Sequence, residues 1–344
     1  MARDIRPLEL EDVPEVSRFL VNAFAAPADA AFAAPEVLRW KYLEPRDDRN
    51  VPRSLVARAN GEIVGHGGMT HGWFHVAAEP DRRISTFHGI DWVALPEHRS
   101  TGAFLLLHGH AYSQTHYALN YSEAARRVIE GIGYKLVATV PVFRRILRPG
   151  YHLRSSGHAL SQRIRAARDL ARVAYYRPHP LTRAIELRPV TAFGSEIVPV
   201  LEGCAMNVIF TSRHPEWLNH ALRYPRSRLS GYLVYHENRL RGFGLLNVVA
   251  EPELRKGKIV ECFLDEPDPA LWHAVIMALT EELRVQQADV VEILGSTPWI
   301  REGLSASGFY EAHHANFMLH DRKKLLPTNV PFHLTSFEAD YAYS

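Results

Sequence analysis

His88 and Asp91 stand three residues apart in the stretch Ile84 to His116, and Arg99 and Gly102 repeat that spacing a little further on. An imidazole or a carboxylate is suited to taking a proton from a reacting group. A guanidinium beside a turn of small residues is suited to an anion, because its planar fork matches phosphate. Thr86 to Leu95 is rich in β-branched and aromatic residues and reads as a strand. Pro96 ends it, having no N–H for a ladder. The turn His98 to Gly102 then opens an apolar run, Ala103 to Leu107, that reads as the start of a helix. The unpaired N–H groups of a first helical turn point outward, and the helix dipole favours negative charge there. Arg99, Ser100, Thr101, Gly102, Ala103 and Phe104 are therefore candidate anion-binding residues. A strand–turn–helix of this kind also occurs as plain architecture.

The elements that must position these residues follow from local pattern. Asp4 to Leu8 reads as an opening strand, and Asp12 as the N-cap of a helix carrying Val16, Phe19, Leu20 and Ala23. Pro35 starts a second helix, which Pro45 closes. Ser54 to Arg58 and Glu62 to Met69 flank Asn60-Gly61 as a hairpin, continued by Trp73 to Val76. Behind the organising strand come a strand at Tyr117 to Tyr121, a helix from Glu123, Gly131-Ile132-Gly133-Tyr134, and a strand from Lys135 to Phe143. Such mixed topology suits a ligand cleft where neighbouring strands splay apart.

The chain has 344 residues, 47% hydrophobic and 10% aromatic, enough for full cores. A net charge of +2 selects neither nucleic acid nor membrane. Two cysteines far apart, Cys204 and Cys262, fit a reducing compartment. No apolar stretch is long enough to span a membrane, and the acidic N-terminus is unlike a signal peptide, so a soluble cytoplasmic protein is expected. The histidines fall in local groups: His66, His71 and His75; His108 and His110; His313 and His314. None has zinc-ligand spacing with Cys or acids, so no metal site is expected.

From Arg148 to Arg183 there are eight arginines, no lysine and one acid, Asp169. Leu160, Ile164, Ala167, Ala171 and Ala174 form a helical stripe, expected to dock this segment as a linker. Its arginines are either a solvated face or a basic surface for an anionic partner. The chain then begins again. Arg188 echoes Arg6, Pro215 echoes Pro35 and Gly308 echoes Gly133, at separations of 182, 180 and 175 (188−6, 215−35, 308−133). A repeat at this period means two copies of one fold.

The order of strands and helices around Arg99-x-x-Gly102 resembles the GNAT acyltransferase superfamily, whose pyrophosphate loop reads Arg/Gln-x-x-Gly-x-Gly/Ala. Phe104 departs from its third place. The resemblance implies an α+β fold of two tandem GNAT-like lobes, each a mixed, mostly antiparallel sheet flanked by helices. The expected units are residues 1–148 with the CoA loop, a linker helix at 149–184, and a second lobe at 185–344. In the second lobe Glu266, Asp268 and two prolines replace the loop and would repel phosphate. The aromatic tail from Pro331 resembles those of bacterial tandem GNAT proteins associated with polysaccharide and amino-sugar metabolism. It also reads, more simply, as an edge strand or a strap in which Phe332, Phe337 and Tyr341 fill space between lobes.

The implied activity is transfer of an acyl group, acetyl by default, from acyl-CoA to a small amine such as an amino sugar. The carbonyl would meet a backbone N–H near Val93, Ala94 or Leu95. Asp91, His88 and Glu123 are the candidate bases, with Ser122, Asn120 and Tyr121 also at the cleft. The tyrosine that often serves as acid is replaced by Ile129, and by Leu304 in the second copy. Two alternatives stay open: a Fem-like aminoacyl transferase using aminoacyl-tRNA, and a CoA-dependent sensor or scaffold. Homodimer formation also stays open; no specific nucleic-acid partner is expected.

Overall fold

The computed structural model describes residues 4–46, 51–154, 160–226, 229–251, 253–339 and 342–343. The first half runs β1 (Asp4–Pro7), α1 (Val13–Ala23), α2 (Pro35–Tyr42), β2 (Ser54–Ala59), β3 (Glu62–Val76), β4 (Glu79–Ala94), α3 (Ser100–Gly109), β5 (Thr115–Leu119), α4 (Glu123–Ile132) and β6 (Lys135–Ile146). Helix α5 (Leu160–Tyr175) bridges to the second half. That half runs β7 (Glu186–Val190), α6 (Val198–Glu202), β8 (Ile209–Thr211), α7 (Pro215–Leu222), β9 (Ser230–His236), β10 (Arg239–Ala250), β11 (Arg255–Leu264), α8 (Pro269–Val285), β12 (Val290–Leu294), α9 (Pro298–Ala306) and β13 (Tyr310–His320).

The fold is α+β with two lobes, and the lobes share one mixed sheet. Its strand order is β1-β2-β3-β4-β5-β13-β6-β12-β11-β10-β9-β7, with β8 beside β3. Read from either end the order is the same pattern. The first lobe is β1-β2-β3-β4-β5, then β13, then β6. The second is β7-β9-β10-β11-β12, then β6, then β13. Each half therefore lends its last strand to the other, and β6 and β13 pair antiparallel at the centre. Self-pairing within each half, which the sequence repeat suggests, is replaced by exchange.

Local chemistry explains the elements near the cleft. Asn60 (φ +53°) and Gly61 (φ +85°) supply the left-handed pair that turns β2 into β3. Ser122 caps α4 by accepting from the Ala125 N–H, and Gly133 (φ +105°) ends it. Asp12 does not cap α1. Its carboxylate takes both Arg6 and Arg58 and accepts the Glu9 N–H instead.

One expectation fails, in α5. The stripe expected to dock α5 faces solvent: Leu160 is 74% exposed and Ile164 60%. The helix docks through its opposite side, where buried Asp169 receives His152, Tyr151, Arg168 and Arg172. Burying one carboxylate against that many donors outweighs a narrow alanine stripe. The tail touches both halves and reaches into the second lobe. His333 faces Glu261 and Phe263 on β11 and Trp272 on α8, and the Leu334 N–H bonds Ser296 Oγ just past β12. It lies where β11 and β12 diverge after their last paired residues, Lys258 and Glu292. Phe332 packs on Phe74 and Phe317, whereas Tyr341 lies outside the described residues.

Candidate active site in the cleft between two splayed strands

β4 and β5 run parallel and pair only from Thr86–Thr115 to His88–Tyr117. Beyond that point β5 follows β13, and β4 follows β3, so the two strands open a wedge. The wedge holds a cavity of about 570 Å³, within the range of ligand pockets. Its β4 wall is His88 to Trp92, and its β5 wall is Tyr117 to Tyr121. Leu106 of α3, Ala125 and Ile129 of α4, Tyr134, and Phe24 and Phe32 beyond α1 close the sides. A second, smaller cavity of about 60 Å³ lies beside it, walled by Trp40, Lys41, Thr70, Ser212, Trp217 and Tyr343. The two share Tyr117 and Ala339.

The β4 wall is not a regular strand. His66 pairs with Val93 and Gly68 with Ile90, so Asp91 and Trp92 together oppose Gly67. This is a β-bulge, and Asp91 sits in it at φ +45°. Several contacts hold that strained residue. Lys41 Nζ lies 2.8 Å from Asp91 Oδ2 and Tyr42 donates to the same oxygen at 2.6 Å. His66 Nδ1–H donates to the Asp91 carbonyl at 2.8 Å, while His66 Nε2 faces Ser54 Oγ at 2.8 Å. Gly68 must be glycine, because a Cβ there would lie 2.1 Å from Tyr42 Oη. On the other face Trp92 Nε1 donates to the Gly102 carbonyl at 2.8 Å, locking the bulge to α3.

This arrangement gives Asp91, the expected base, two fixed partners. Burial alone would raise Asp91, but the Lys41 charge and the bonds from Lys41 and Tyr42 outweigh it and hold the carboxyl below its ordinary range. A carboxylate so held is a weaker proton acceptor, and the same contacts fit a role in fixing the bulge. If so, Asp91→Asn and Lys41→Met should each reduce turnover by a similar factor and lower the thermal midpoint. A free base would instead show a rate loss confined to Asp91→Asn with an unchanged melt.

His88 lies on the cavity wall, but its Nε2 accepts the Leu119 N–H at 3.3 Å across the mouth of the wedge. Nδ1 then carries the proton and has no protein partner. Burial lowers its pKa to about 4, so it is neutral and weakly basic near pH 7. Glu123 stands outside the cavity wall. It opens α4 from the surface and pairs with Arg126 and Arg127.

The expected cofactor residues divide. The cavity wall lies at His88 to Trp92, earlier than Val93, Ala94 and Leu95, and the Leu95 N–H is bonded to the Val64 carbonyl. Thr101 is buried against Gly65, and Gly102 lies under Trp92, where a Cβ would come within 3.3 Å of the indole. Arg99 and Ser100 are exposed at the N-terminus of α3, Ala103 is half-buried, and Phe104 is 49% exposed. Lys41, Tyr42, Trp92 and Tyr134 gave no signal in sequence, since nothing local ties Lys41 to a residue fifty positions away.

No family model and no curated protein matches the sequence. Solved structures do match. A GCN5-related N-acetyltransferase from Anabaena variabilis superposes with a TM-score of 0.59 at 13% identity, over 92% of this chain and 72% of that one. A second, from Kribbella flavida, gives 0.56 at 15% identity, over 92% and 71%. The N-myristoyltransferase of Saccharomyces cerevisiae with bound myristoyl-CoA gives 0.57 at 13% identity, over 93% and 82%. The chain therefore has the two-lobed fold shared by GCN5-related N-acetyltransferases and N-myristoyltransferases.

Proposed function

We propose that this chain is a tandem GNAT-type N-acyltransferase that takes an acyl-CoA in the β4–β5 wedge and passes the acyl group to a small amine. The bulged, unpaired edge of β4 at a cavity of about 570 Å³ carries the reading. The outer edge of Gly89 to Trp92 has no strand against it, so backbone N–H groups there are available to a thioester carbonyl. His88 Nδ1–H is a further donor in that wall. The apolar residues Leu106, Leu119 and Ile129 suit an acyl chain, and Arg99 at the start of α3 suits the pyrophosphate. Acetyl is the default, and the cavity has room for longer chains.

The amine enters through the smaller cavity, whose Trp40, Trp217 and Tyr343 walls and Thr70 and Ser212 hydroxyls suit an amino sugar. The amine nitrogen attacks the thioester carbon and the C–S bond breaks. The thiolate takes a proton from water or from the Tyr121 phenol on the wall, and the amine proton leaves to water. The second lobe supports the first rather than binding CoA. Asp268 itself caps α8, and the tail lies across the matching divergence of β11 and β12.

Calorimetry tests the site. Ala125→Trp should fill the wedge and weaken acyl-CoA binding by about 100-fold or more, as expected when the pocket itself is lost. Arg99→Ala should cost about 1.5–3 kcal/mol, the value of a charged hydrogen bond. An acyl series from acetyl- to palmitoyl-CoA, with hexosamine acceptors, reads chain length and acceptor. Absence of acyl-CoA binding, with salt-sensitive tRNA binding in its place, would transfer the assignment to the Fem-like alternative.

A further inference from the structure

We propose that His110, His116 and His320 form a binding site for a divalent metal ion of the zinc class. The three come from different elements. His110 follows α3, His116 lies in β5, and His320 ends β13, paired directly opposite His116. One ring nitrogen from each lies within 4.8 Å of the others. His116 and His320 are buried and His110 is half-buried at the solvent edge.

The hydrogen bonding of the group is incomplete in a way an ion would complete. His116 Nε2 faces the Ser113 carbonyl at 3.2 Å. A carbonyl only accepts, so Nε2 carries the proton and Nδ1 holds a lone pair. That lone pair faces His320 Nδ1 at 3.1 Å. If His320 also has its proton on Nε2, two lone pairs confront each other and Nε2–H is buried without an acceptor. If the proton is on Nδ1, Nε2 is a buried acceptor without a donor. Among the described residues neither His320 Nε2 nor His110 Nε2 has a protein partner. Leaving buried polar atoms unmatched is costly. Two nitrogens bound tetrahedrally at zinc distances stand about 3.3 Å apart, close to the separation seen here. An imidazole whose far N–H is held by a backbone carbonyl is the usual arrangement of a metal-bound histidine.

His110 is not yet in place. It stacks on His116 with ring centroids 4.0 Å apart and planes 8° apart, so their lone pairs lie in parallel planes. Binding would require a change of the His110 ring's orientation to aim a lone pair at the ion. Three neutral imidazoles with no carboxylate in the set favour zinc, cobalt, nickel or copper over magnesium or calcium. The ion would tie the end of α3 to β5 and to the strand lent by the second half. It would sit behind Tyr134, whose ring is 5.2 Å from that of His320 and which walls the cavity.

Full-length protein treated with chelator and dialysed, then titrated with cobalt(II) chloride, tests the site. One equivalent should bind and give visible d–d absorption with imidazole ligation, and zinc should displace it. His116→Ala and His320→Ala should each weaken binding by about 100-fold or more, exceeding the loss of an outer partner. His108→Ala, an exposed neighbour on α3, should leave it unchanged. If the buried variants do not fold, His110→Ala at the solvent edge carries the same expectation. Absence of one-equivalent binding overturns the proposal, as does binding that survives His110→Ala together with either buried change. The cluster is then a packed or hydrated ring stack.

Discussion

Replacing Arg213 with methionine is expected to cost about 3–5 kcal/mol of stability, the penalty for removing one partner of a buried ion pair. Arg213 is fully buried. Nε donates to Glu261 Oε2 at 2.8 Å, Nη1 to the Thr211 carbonyl at 2.9 Å, and Nη2 to Glu338. These partners come from β11, β8 and the tail, so one guanidinium joins three separate segments. Without it, two buried carboxylates face each other with no fixed cation. Burial would raise Glu261, and Arg213 is the main influence that holds it low. The smaller cavity should suffer too, since Thr211 and Glu338 line it. Urea unfolding of Arg213→Met against the triple change Arg213→Met, Glu261→Gln, Glu338→Gln separates charge from packing. The triple variant should recover much of the loss; equal midpoints for the two would show that the charges are not the cause.

The protein should lose stability steeply below pH 6.5, well above the range where carboxylates titrate. His75, His88 and His220 are buried and their pKa values are lowered to about 3, about 4 and about 2, first by burial. Arginines push the same way at His75 and His220, and burial also lowers His66. In the unfolded chain each titrates near 6.5. Above that pH both states are neutral and the groups contribute nothing. Below it the unfolded state takes protons that the folded state refuses, so stability falls by up to roughly 1.4 kcal/mol per pH unit per group. His75, His88 and His220 together reach on the order of 5 kcal/mol by pH 5, against a typical total of about 5–15, and His66 acts in the same direction. Asp12 and Asp91 have lowered pKa values, so their contribution is intact above the usual carboxylate range and is lost only on further acidification. Thermal melts from pH 8 to pH 5 should show a falling midpoint, flattened by His88→Gln. A constant midpoint across that range would refute the account.

Much of this architecture was legible because it is local. Asn60-Gly61 announces a hairpin, Ser122 and Gly133 bracket a helix, and Pro96 ends the cleft strand. The echo of Arg6 in Arg188 falls on β1 and β7, which occupy the two edges of the sheet. What escaped notice depends on contacts between distant residues. Asp91 looked like a free carboxylate because Lys41 and Tyr42 lie on a helix about fifty residues earlier. Period two places His88 and Asp91 on opposite faces, and only the bulge brings Asp91 round to α2. His116 and His320 are 204 residues apart, so no spacing rule finds them. The α5 stripe misled because the buried Asp169 network, not apolar periodicity, chose the docked face.

The lending of β6 and β13 also constrains how the protein is made. β13 begins at Tyr310, 191 residues after β5 ends at Leu119 (310−119). As the chain leaves the ribosome, the β5 edge that faces away from the wedge waits for β13 over all that length. At about 5–20 residues per second the wait is roughly 10–40 s. During it an unpaired strand edge stands open behind the wall of the ligand cleft, a known hazard for wrong pairing. Neither lobe is able to finish before the other, so the final step closes both in one event. Fragments divided within the Arg-rich segment would each lack a central strand, and only together would they hold a complete set.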